Sequence, residues 1–169
     1  MRENIVLCGF MGCGKTTIAR RLSRLTYRNF IDIDKYIQHQ TKMSVSDIFR
    51  IYGEPVFRNM EHEVCGKFRH RASKIIATGG GTVTFERNVK ALKAGGLIVL
   101  LDLPLEQLQE RLAYDKKRPL LQVPNRNEVI EELYNSRIDI YRSVADVTVN
   151  AGQGIDYVAL ELMKKTGIL

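Results

Sequence analysis

The segment that most constrains the fold is the glycine-rich stretch at residues 9–16, which reads GFMGCGKT. It matches the pattern G-x-x-x-x-G-K-[ST] at every fixed position, with an apolar stretch before it and a helical pattern after it. Glycines let the backbone curl so that several N–H groups face one anion, and the helix N-terminus adds its positive dipole end. Lys15 can reach the β- and γ-phosphates, and the Thr16 hydroxyl can bind Mg²⁺. The stretch therefore predicts a site for a nucleoside triphosphate with magnesium.

The loop alone does not say what happens to the phosphate, because ATPases, GTPases and small-molecule kinases all use it. A GTPase should carry a base-reading Asn-Lys-x-Asp motif, and this sequence has none. A chain of 169 residues is the size of one domain, which argues against a motor that needs additional apparatus.

Short apolar stretches alternate with helical patterns along the whole chain. The alternation predicts right-handed crossovers, a mostly parallel sheet covered on both faces and therefore the α/β class, with one domain over residues 1–169. Strands are predicted at residues 5–8, 30–32, 74–77, 97–101 and 146–149, and helices at 16–25, 34–40, 44–51, 54–70, 84–94, 104–112, 127–141 and 155–165.

Composition narrows the class of protein. The hydrophobic content of 44% and the charged content of 27% are ordinary for a globular chain. We expect a cytoplasmic protein without membrane contact, because no apolar run approaches the ~20 residues of a bilayer span and no signal peptide is evident. The net charge of +7 favours anionic partners, but no basic stripe interleaved with aromatic residues favours nucleic acid.

The cysteines and histidines do not form a recognisable metal or disulfide pattern. Cys8, Cys13 and Cys65 have no paired framework or Cys-x-x-Cys spacing, and Cys13 is expected to be more accessible than Cys8 because it lies in the glycine loop. His39, His62 and His70 lack metal-ligand spacing, so we interpret them as structural or surface residues.

Two carboxylates lie at the end of the second predicted strand. Alternate residues of a strand point the same way, so Asp32 and Asp34 can face one site at the carboxyl edge of the sheet. One can hold Mg²⁺, and the other can orient an acceptor hydroxyl and take its proton. The alternative is a strand end at which Asp34 is the N-cap of the next helix.

Arginines and glycines further along the chain are candidates for binding the acceptor. Arg58 and Glu61 lie three residues apart on a predicted helix, which suits either a carboxylate clamp or a surface ion pair. Arg137 and Tyr141 share a helix face, so Arg137 is a second clamp or an exposed charge. Three glycines at residues 79–81 follow a strand and predict a close approach of the backbone to a ligand, or else a tight turn.

The polar, basic segment at residues 114–126 contains two prolines and predicts a lid of about 112–126. Within it, Arg118 can close onto the transferring phosphoryl group and stabilise its charge, while closure excludes water. The alternative is a solvated basic loop.

Taken together, these motifs resemble the shikimate kinase family, and the resemblance spans nearly the whole chain. It implies the nucleoside monophosphate kinase fold: a three-layer P-loop kinase with a five-stranded parallel sheet, an acceptor-binding segment at about 32–61 and a lid. The matching motifs are the glycine loop at residues 9–16, Asp32-x-Asp34, Asp47-Ile48-Phe49, Phe57-Arg58-x-x-Glu61, Thr78-Gly79-Gly80-Gly81, Arg118-Pro119-Leu120-Leu121 and residues 137–141.

The resemblance also implies an activity and a set of site residues. The activity is transfer of the ATP γ-phosphate to the shikimate 3-hydroxyl, in the chorismate and aromatic amino acid pathway, by an enzyme that we expect to be a monomer. Asp34, Lys15 and Arg118 would be catalytic, and Thr16 and Asp32 would serve Mg²⁺. The nucleotide would contact Gly12, Cys13, Gly14, Lys15, Thr16, Thr17, Arg111, Arg118 and Gln153, and shikimate would contact Asp34, Phe49, Phe57, Arg58, Gly79, Gly80, Gly81 and Arg137.

Two other functions remain open from the sequence. One is a gluconate or nucleotide kinase of the same fold, although two arginines beside a hydroxyl-binding carboxylate suit a polyhydroxy acid better than a base. The other is a phosphate-loop protein that binds nucleotide without transfer, against which the presence of Asp34, Arg58 and Arg118 argues.

Overall fold

A computed structural model describes residues 3–69, 73–116 and 118–168. Its sheet has five parallel strands in the order β2-β3-β1-β4-β5, as the alternating pattern predicts. The predicted helix end at His70, and Lys117 of the predicted lid, lie outside the described residues. The strands are β1 (Asn4–Cys8), β2 (Asn29–Asp32), β3 (Lys74–Ala77), β4 (Gly96–Asp102) and β5 (Val147–Asn150).

Helices flank this sheet, which confirms the predicted α/β class. Helices α1 and α8 contact each other, while α5 and α7 contact β4 and α4 packs on α5. The helices are α1 (Lys15–Thr26), α2 (Ile33–Thr41), α3 (Val45–Tyr52), α4 (Glu54–Phe68), α5 (Glu86–Lys93), α6 (Leu105–Leu112), α7 (Arg126–Val144) and α8 (Ile155–Thr166).

The core lies around the central strand. Every residue of β1 is buried, and Ile5 pairs in register with Ile75 of β3 and Leu97 of β4. Four consecutive residues of β4, at 98–101, are also buried, as expected for a parallel strand that is covered on both faces. The carboxyl ends of β1, β2 and β3 therefore meet at one edge of a rigid sheet.

Local signals explain most helix starts. Ser44 is the N-cap of α3, and its hydroxyl accepts a hydrogen bond from the Asp47 amide at 3.0 Å, as the capping pattern predicts. Pro104, expected at the first helical position, is instead the N-cap of α6. The helix predicted over 84–94 is interrupted at Phe85, whose extended backbone separates a 3-10 turn (Thr82–Thr84) from α5.

The strand interpretation of Asp34 was wrong. Strand β2 ends at Asp32, and Asp34 lies in the first turn of α2. Asp32, and not Asp34, is the N-cap, because its carboxylate accepts a hydrogen bond from the Lys35 amide at 3.1 Å. The two carboxylates nevertheless line one cavity, since the chain turns from strand to helix between them.

None of the helices within the described ranges is both long enough and apolar enough to cross a membrane.

Candidate active site

The glycine loop connects β1 to α1 through backbone that only glycine adopts easily. Gly9 has φ 139° and Gly12 has φ 79°, both in the left-handed region. A Cβ on Gly9 would lie 2.7 Å from the Leu101 carbonyl oxygen, so this position has no room for a side chain. The loop therefore curls tightly over the end of the central strand, and α1 begins at Lys15 inside it.

Lys15 is held by the loop itself. Its ammonium group donates to the carbonyl oxygens of Gly9 at 2.7 Å and Phe10 at 2.9 Å. The same residue lines the cavity beside the loop, so its charge is available to a phosphate group there. The accessibility predicted for Cys13 was wrong: the residue is only 1% exposed, because its thiol packs under the loop next to Gly9.

Thr16 and Asp32 form a pair of oxygen donors at the loop. The Thr16 hydroxyl donates to the Asp32 carboxylate at 2.9 Å, which brings α1 and the end of β2 together. Hydroxyl and carboxylate oxygens suit Mg²⁺, which takes few protein ligands and binds phosphate oxygens and water as well. The described part of the chain holds no cluster of three or more His, Cys, Asp or Glu side chains that could bind a metal ion by itself. The Thr16–Asp32 pair does not require such a cluster, because phosphate oxygens and water supply the other Mg²⁺ ligands. The two residues therefore fit a magnesium ion that is shared with a nucleotide.

Asp34 is a carboxylate in an unusual environment. Within the described residues, its Oδ1 is buried and has no hydrogen-bond partner. The pKa of this carboxyl is raised to about 6, first by burial and then by the nearby charges of Glu61 and Asp32, against the opposing effects of Lys15 and Arg58. Its oxygens lie against the glycine turn, because a Cβ on Gly79 would be 2.8 Å from Oδ1. The structure thus keeps a basic oxygen free beside a backbone that leaves room for a ligand.

The Arg58 side chain is only 13% exposed and is fixed from two sides, so the predicted ion pair is not a surface pair. Glu61, with a fully buried side chain, accepts from its NH1 at 2.5 Å. Glu54 accepts from its Nε at 3.0 Å and its NH2 at 2.8 Å. A Cβ on Gly81 would come within 2.7 Å of NH2 and 2.9 Å of NH1, so these two nitrogens face the glycine turn.

Aromatic rings surround the guanidinium group of Arg58. Its central carbon lies 6.0 Å from the ring centroid of Phe49, 5.5 Å from that of Phe57 and 5.2 Å from that of Phe85. Phe49 and Phe57 pack edge to face with ring centroids 5.0 Å apart. The predicted apolar walls thus lie together at the arginine, and Phe85 adds a third ring that the motifs did not indicate.

Helix α7 brings a second arginine to the same turn. Arg137 NH1 would lie 3.5 Å from a Cβ on Gly80, and the Tyr141 hydroxyl donates to the Gly80 carbonyl oxygen at 2.5 Å. Tyr141 is buried, and burial raises the pKa of its hydroxyl to about 12, so it remains a donor at neutral pH. The face shared by Arg137 and Tyr141, predicted from their spacing, therefore meets the glycine turn.

One cavity of about 410 Å³ joins the phosphate loop to three of the predicted acceptor residues, Asp34, Gly79 and Gly80. Arg118, from the predicted lid, lines it, and the Arg118 guanidinium is bonded to the Asp115 carboxylate. The segment around Arg118 is anchored by the buried Leu121, whose carbonyl oxygen accepts from Arg126 Nε at 2.8 Å. The cavity is lined by Met11, Gly12, Gly14, Lys15, Thr16, Thr17, Asp32, Asp34, Thr78, Gly79, Gly80 and Arg118.

A second cavity, of about 340 Å³, also borders the phosphate loop. Arg111 reaches across it, with NH2 donating to the Ala151 carbonyl oxygen at 3.2 Å and NH1 donating to that of Gly12 at 3.4 Å. Gln153, expected at the nucleotide base, lines the same cavity. The lining residues are Gly12, Cys13, Gly14, Thr17, Ile18, Arg111, Ala151, Gln153 and Ile155.

Several residues at the site were missed by sequence reasoning. Thr78 belongs to the motif Thr78-Gly79-Gly80-Gly81 but was not among the predicted site residues; it follows β3 directly, and the rule that ligands bind at the carboxyl ends of parallel strands could have identified it. Glu54 lies four residues before Arg58 on the same helix, which is a spacing for ion pairs. No local signal marks Met11 as a lining residue or Thr82 as a partner of Glu61, because both contacts depend on how the chain folds.

The fold and the site together define a class. A phosphate loop at the end of the central parallel strand shares a cavity with a free carboxylate, and two arginines lie at the adjoining glycine turn. This arrangement is that of a P-loop kinase that acts on a small anionic metabolite.

Comparisons with known proteins identify the family. The family model for shikimate kinase matches residues 11–166. The shikimate kinase of Aromatoleum aromaticum is 42% identical over 150 residues, covering 89% of this chain and 86% of that protein. The shikimate kinase of Clostridium botulinum is 40% identical over 151 residues, covering 88% of each chain.

A solved structure agrees with these sequence relatives. Shikimate kinase from Acinetobacter baumannii in complex with shikimate superposes with a TM-score of 0.89 at 38% identity, covering 98% of this chain and 93% of that one. The chain therefore belongs to the shikimate kinase family, and the predicted family, fold class and ATP-dependent kinase class are confirmed.

Proposed function

We propose that this protein transfers the γ-phosphate of ATP to the 3-hydroxyl of shikimate, giving shikimate 3-phosphate and ADP. The observation that carries the proposal is the convergence of three groups on one glycine turn: the Asp34 carboxylate at Gly79, Arg137 at Gly80 and Arg58 at Gly81. Two guanidinium groups match one carboxylate of the acceptor, and the free carboxylate matches its hydroxyl groups. The phosphate loop lies across the same cavity.

The nucleotide would bind with its phosphates on the glycine loop. Backbone N–H groups of the loop and the N-terminus of α1 would receive the β-phosphate. Lys15 would exchange its bonds to the Gly9 and Phe10 carbonyl oxygens for phosphate oxygens, and so deliver its charge where negative charge develops. The adenine base would occupy the second cavity against Arg111, with Gln153 and Thr17 beside it.

The acceptor would be held by its carboxylate and its ring hydroxyls. Arg58 and Arg137 would bind the carboxylate, and Phe49 and Phe57 would enclose the ring. Asp34 Oδ1, which lacks another partner within the described residues, would accept the hydrogen bond of the reacting hydroxyl and take its proton during attack on the γ-phosphorus. With a pKa of about 6, Asp34 is ionised at neutral pH and still basic enough to receive that proton.

Magnesium would be held by the Thr16 hydroxyl and the Asp32 carboxylate, which lie within hydrogen-bond distance of each other. The ion, when bound with ATP, supplies positive charge to the phosphate oxygens. Arg118 would add charge at the transferring group after leaving Asp115, and the segment at residues 112–126 would close as a lid. All of these residues belong to one chain, which supports a monomeric enzyme.

The test is release of ADP from ATP and Mg²⁺ with and without shikimate, measured by a coupled assay. We expect turnover that depends on shikimate, with little stimulation by gluconate, quinate or a nucleoside monophosphate. The variant Arg58→Lys tests the role of the bidentate geometry, because it keeps the charge and loses that geometry. Shikimate-independent turnover, no turnover, or a stronger response to another hydroxy acid would refute the proposal.

A further inference from the structure

Several buried polar groups have no direct part in the proposed mechanism. Three of them are fully buried and lie in one connected set behind the acceptor residues: Glu61 on α4, Thr82 in the 3-10 turn, and Asn88 on α5. The Thr82 hydroxyl donates to Glu61 Oε1 at 2.6 Å, and the Asn88 amide donates to the Thr82 carbonyl oxygen at 2.9 Å. We propose that Thr82 is a positioning residue for acceptor binding, which acts through Glu61 on Arg58.

The argument begins with the two oxygens of Glu61. One accepts from Arg58 NH1 at 2.5 Å and the other accepts from the Thr82 hydroxyl at 2.6 Å. A fully buried carboxylate needs partners for both oxygens, because an unsatisfied charged group in the interior is costly. Thr82 therefore fixes the carboxylate plane, and that plane sets the direction in which Arg58 is held.

The position of Thr82 is itself fixed. Asn88 holds the Thr82 carbonyl oxygen, and the Asn88 side-chain oxygen lies 3.1 Å from His62 Nδ1 on α4. The hydroxyl is thus held by a turn that is tied to two helices. Small displacements of the hydroxyl would reach Arg58 directly, since only one carboxylate separates them.

Thr82 also explains why Glu61 has a protein donor and Asp34 Oδ1 does not. A Cβ on Gly79 would meet both Asp34 Oδ1 at 2.8 Å and the Thr82 hydroxyl oxygen at 3.1 Å, so these groups are close neighbours. A hydroxyl has one proton to donate, and Thr82 gives it to Glu61. Asp34 Oδ1 consequently remains without a protein donor among the described residues and is available to the acceptor.

This inference rests on the proposed function, since it concerns how the acceptor carboxylate is bound. The test variant is Thr82→Val, which keeps the branched shape and removes the hydroxyl. Thr82→Ser should restore the hydrogen bond to Glu61. Thr166→Val is the control, because that hydroxyl donates to the Leu162 carbonyl oxygen at the C-terminal end of α8. Michaelis constants are measured separately for shikimate and ATP, and folding is checked by thermal denaturation.

We expect Thr82→Val to raise the KM for shikimate about tenfold, which is the scale for loss of a hydrogen bond to a charged group. The KM for ATP should stay within about twofold, and Thr82→Ser should return the shikimate KM to near wild type. In an Arg58→Ala background, Thr82→Val should add nothing, because the residue through which it acts is gone. If Thr82→Val does not fold, Thr82→Ala carries the same comparison.

Three results would overturn the proposal: an unchanged KM for shikimate, an equal rise in both Michaelis constants, or a full effect of Thr82→Val in the Arg58→Ala background. Failure of the proposed function is a separate result, because it shows as wild-type protein that shikimate does not stimulate. In that case the same variants are compared on whichever hydroxy acid the wild-type enzyme phosphorylates.

Discussion

The ionised Asp34 carboxylate should destabilise the folded state and also act as the base in the reaction. The variant Asp34→Asn tests both effects. Its pKa of about 6 in the folded protein, against an ordinary value of 3.8, means that the folded state holds the proton more tightly than the unfolded chain does. The contribution of Asp34 to stability is therefore fully present below about pH 4 and is lost as the pH rises through about 6. Above that pH the carboxylate is ionised, and its burial destabilises the folded state by the full amount.

The magnitude follows from the shift. A shift of about two pKa units corresponds to about 3 kcal/mol of destabilisation of the folded state at neutral pH, and solvent at the cavity mouth reduces this figure. We expect Asp34→Asn to raise the free energy of unfolding by about 1–3 kcal/mol at pH 7.5, measured by urea denaturation. Near pH 4 the gain should fall below about 1 kcal/mol, because the wild-type carboxyl is then protonated.

The same variant should lose activity. Turnover should fall at least ~100-fold, the scale of a positioned proton acceptor, with ATP binding largely kept. In the wild type, kcat/KM should fall about tenfold per pH unit below about 6, as Asp34 becomes protonated. A stability gain that is absent, or that persists at pH 4, would refute the buried-charge reasoning, and unchanged turnover would remove Asp34 from catalysis.

Asp47 provides the matched control for this experiment. It is an exposed carboxylate whose hydrogen bonds from Arg50 and Ser44 lower its pKa, the opposite direction from Asp34. It therefore stabilises the fold at neutral pH and loses that effect in acid. Asp47→Asn should lower stability slightly at pH 7.5 and leave turnover unchanged.

Three further predictions concern ligand binding. Arg58→Ala should raise the KM for shikimate at least ~30-fold and leave the KM for ATP within about twofold, because a bidentate carboxylate clamp is lost; an unaltered shikimate KM would contradict this role. Gly81→Ala should raise the shikimate KM about tenfold, because its Cβ would press on Arg58 at 2.7 Å, whereas Gly66→Ala, with open space around it, should only stabilise α4. Arg111→Ala should raise the KM for ATP about fivefold if its proposed contact with the adenine base is lost; an equal rise in the KM for shikimate would contradict that placement.

Much of the fold could be predicted because its signals are local. Residues 97–101 of β4 are all apolar and residues 98–101 are buried, and Ser44 caps α3 through a motif that is visible in four residues. The phosphate loop was equally clear, since glycines at fixed spacing before Lys15 describe one backbone path. Each of these features depends on residues that are close in sequence, so a local sequence pattern is sufficient to predict it.

The errors arose where the chain changes direction. Strand alternation placed Asp34 on the same face as Asp32, but β2 ends at Asp32, as predicted, and the Asp32 carboxylate caps α2 at the Lys35 amide, so Asp34 lies in the helix. Cys13 looked accessible because glycine loops usually lie at the surface, yet its thiol packs beneath the curled backbone. In both cases a contact between a side chain and nearby backbone decided the outcome, and periodicity does not report such contacts.

The sequence indicates the candidate acceptor site as a set of residues but not as an arrangement, since its parts come from α2, α4, α7 and the turn after β3. The three glycines explain why these parts can meet. A Cβ at Gly79 would press on Asp34, one at Gly80 would contact Arg137, and one at Gly81 would press on Arg58. Each glycine therefore admits one polar group of the site, and the order of the glycines along the turn fixes the order of the carboxylate and the two arginines in space. A kinase for a different acceptor could keep the phosphate loop unchanged and alter only what approaches this turn.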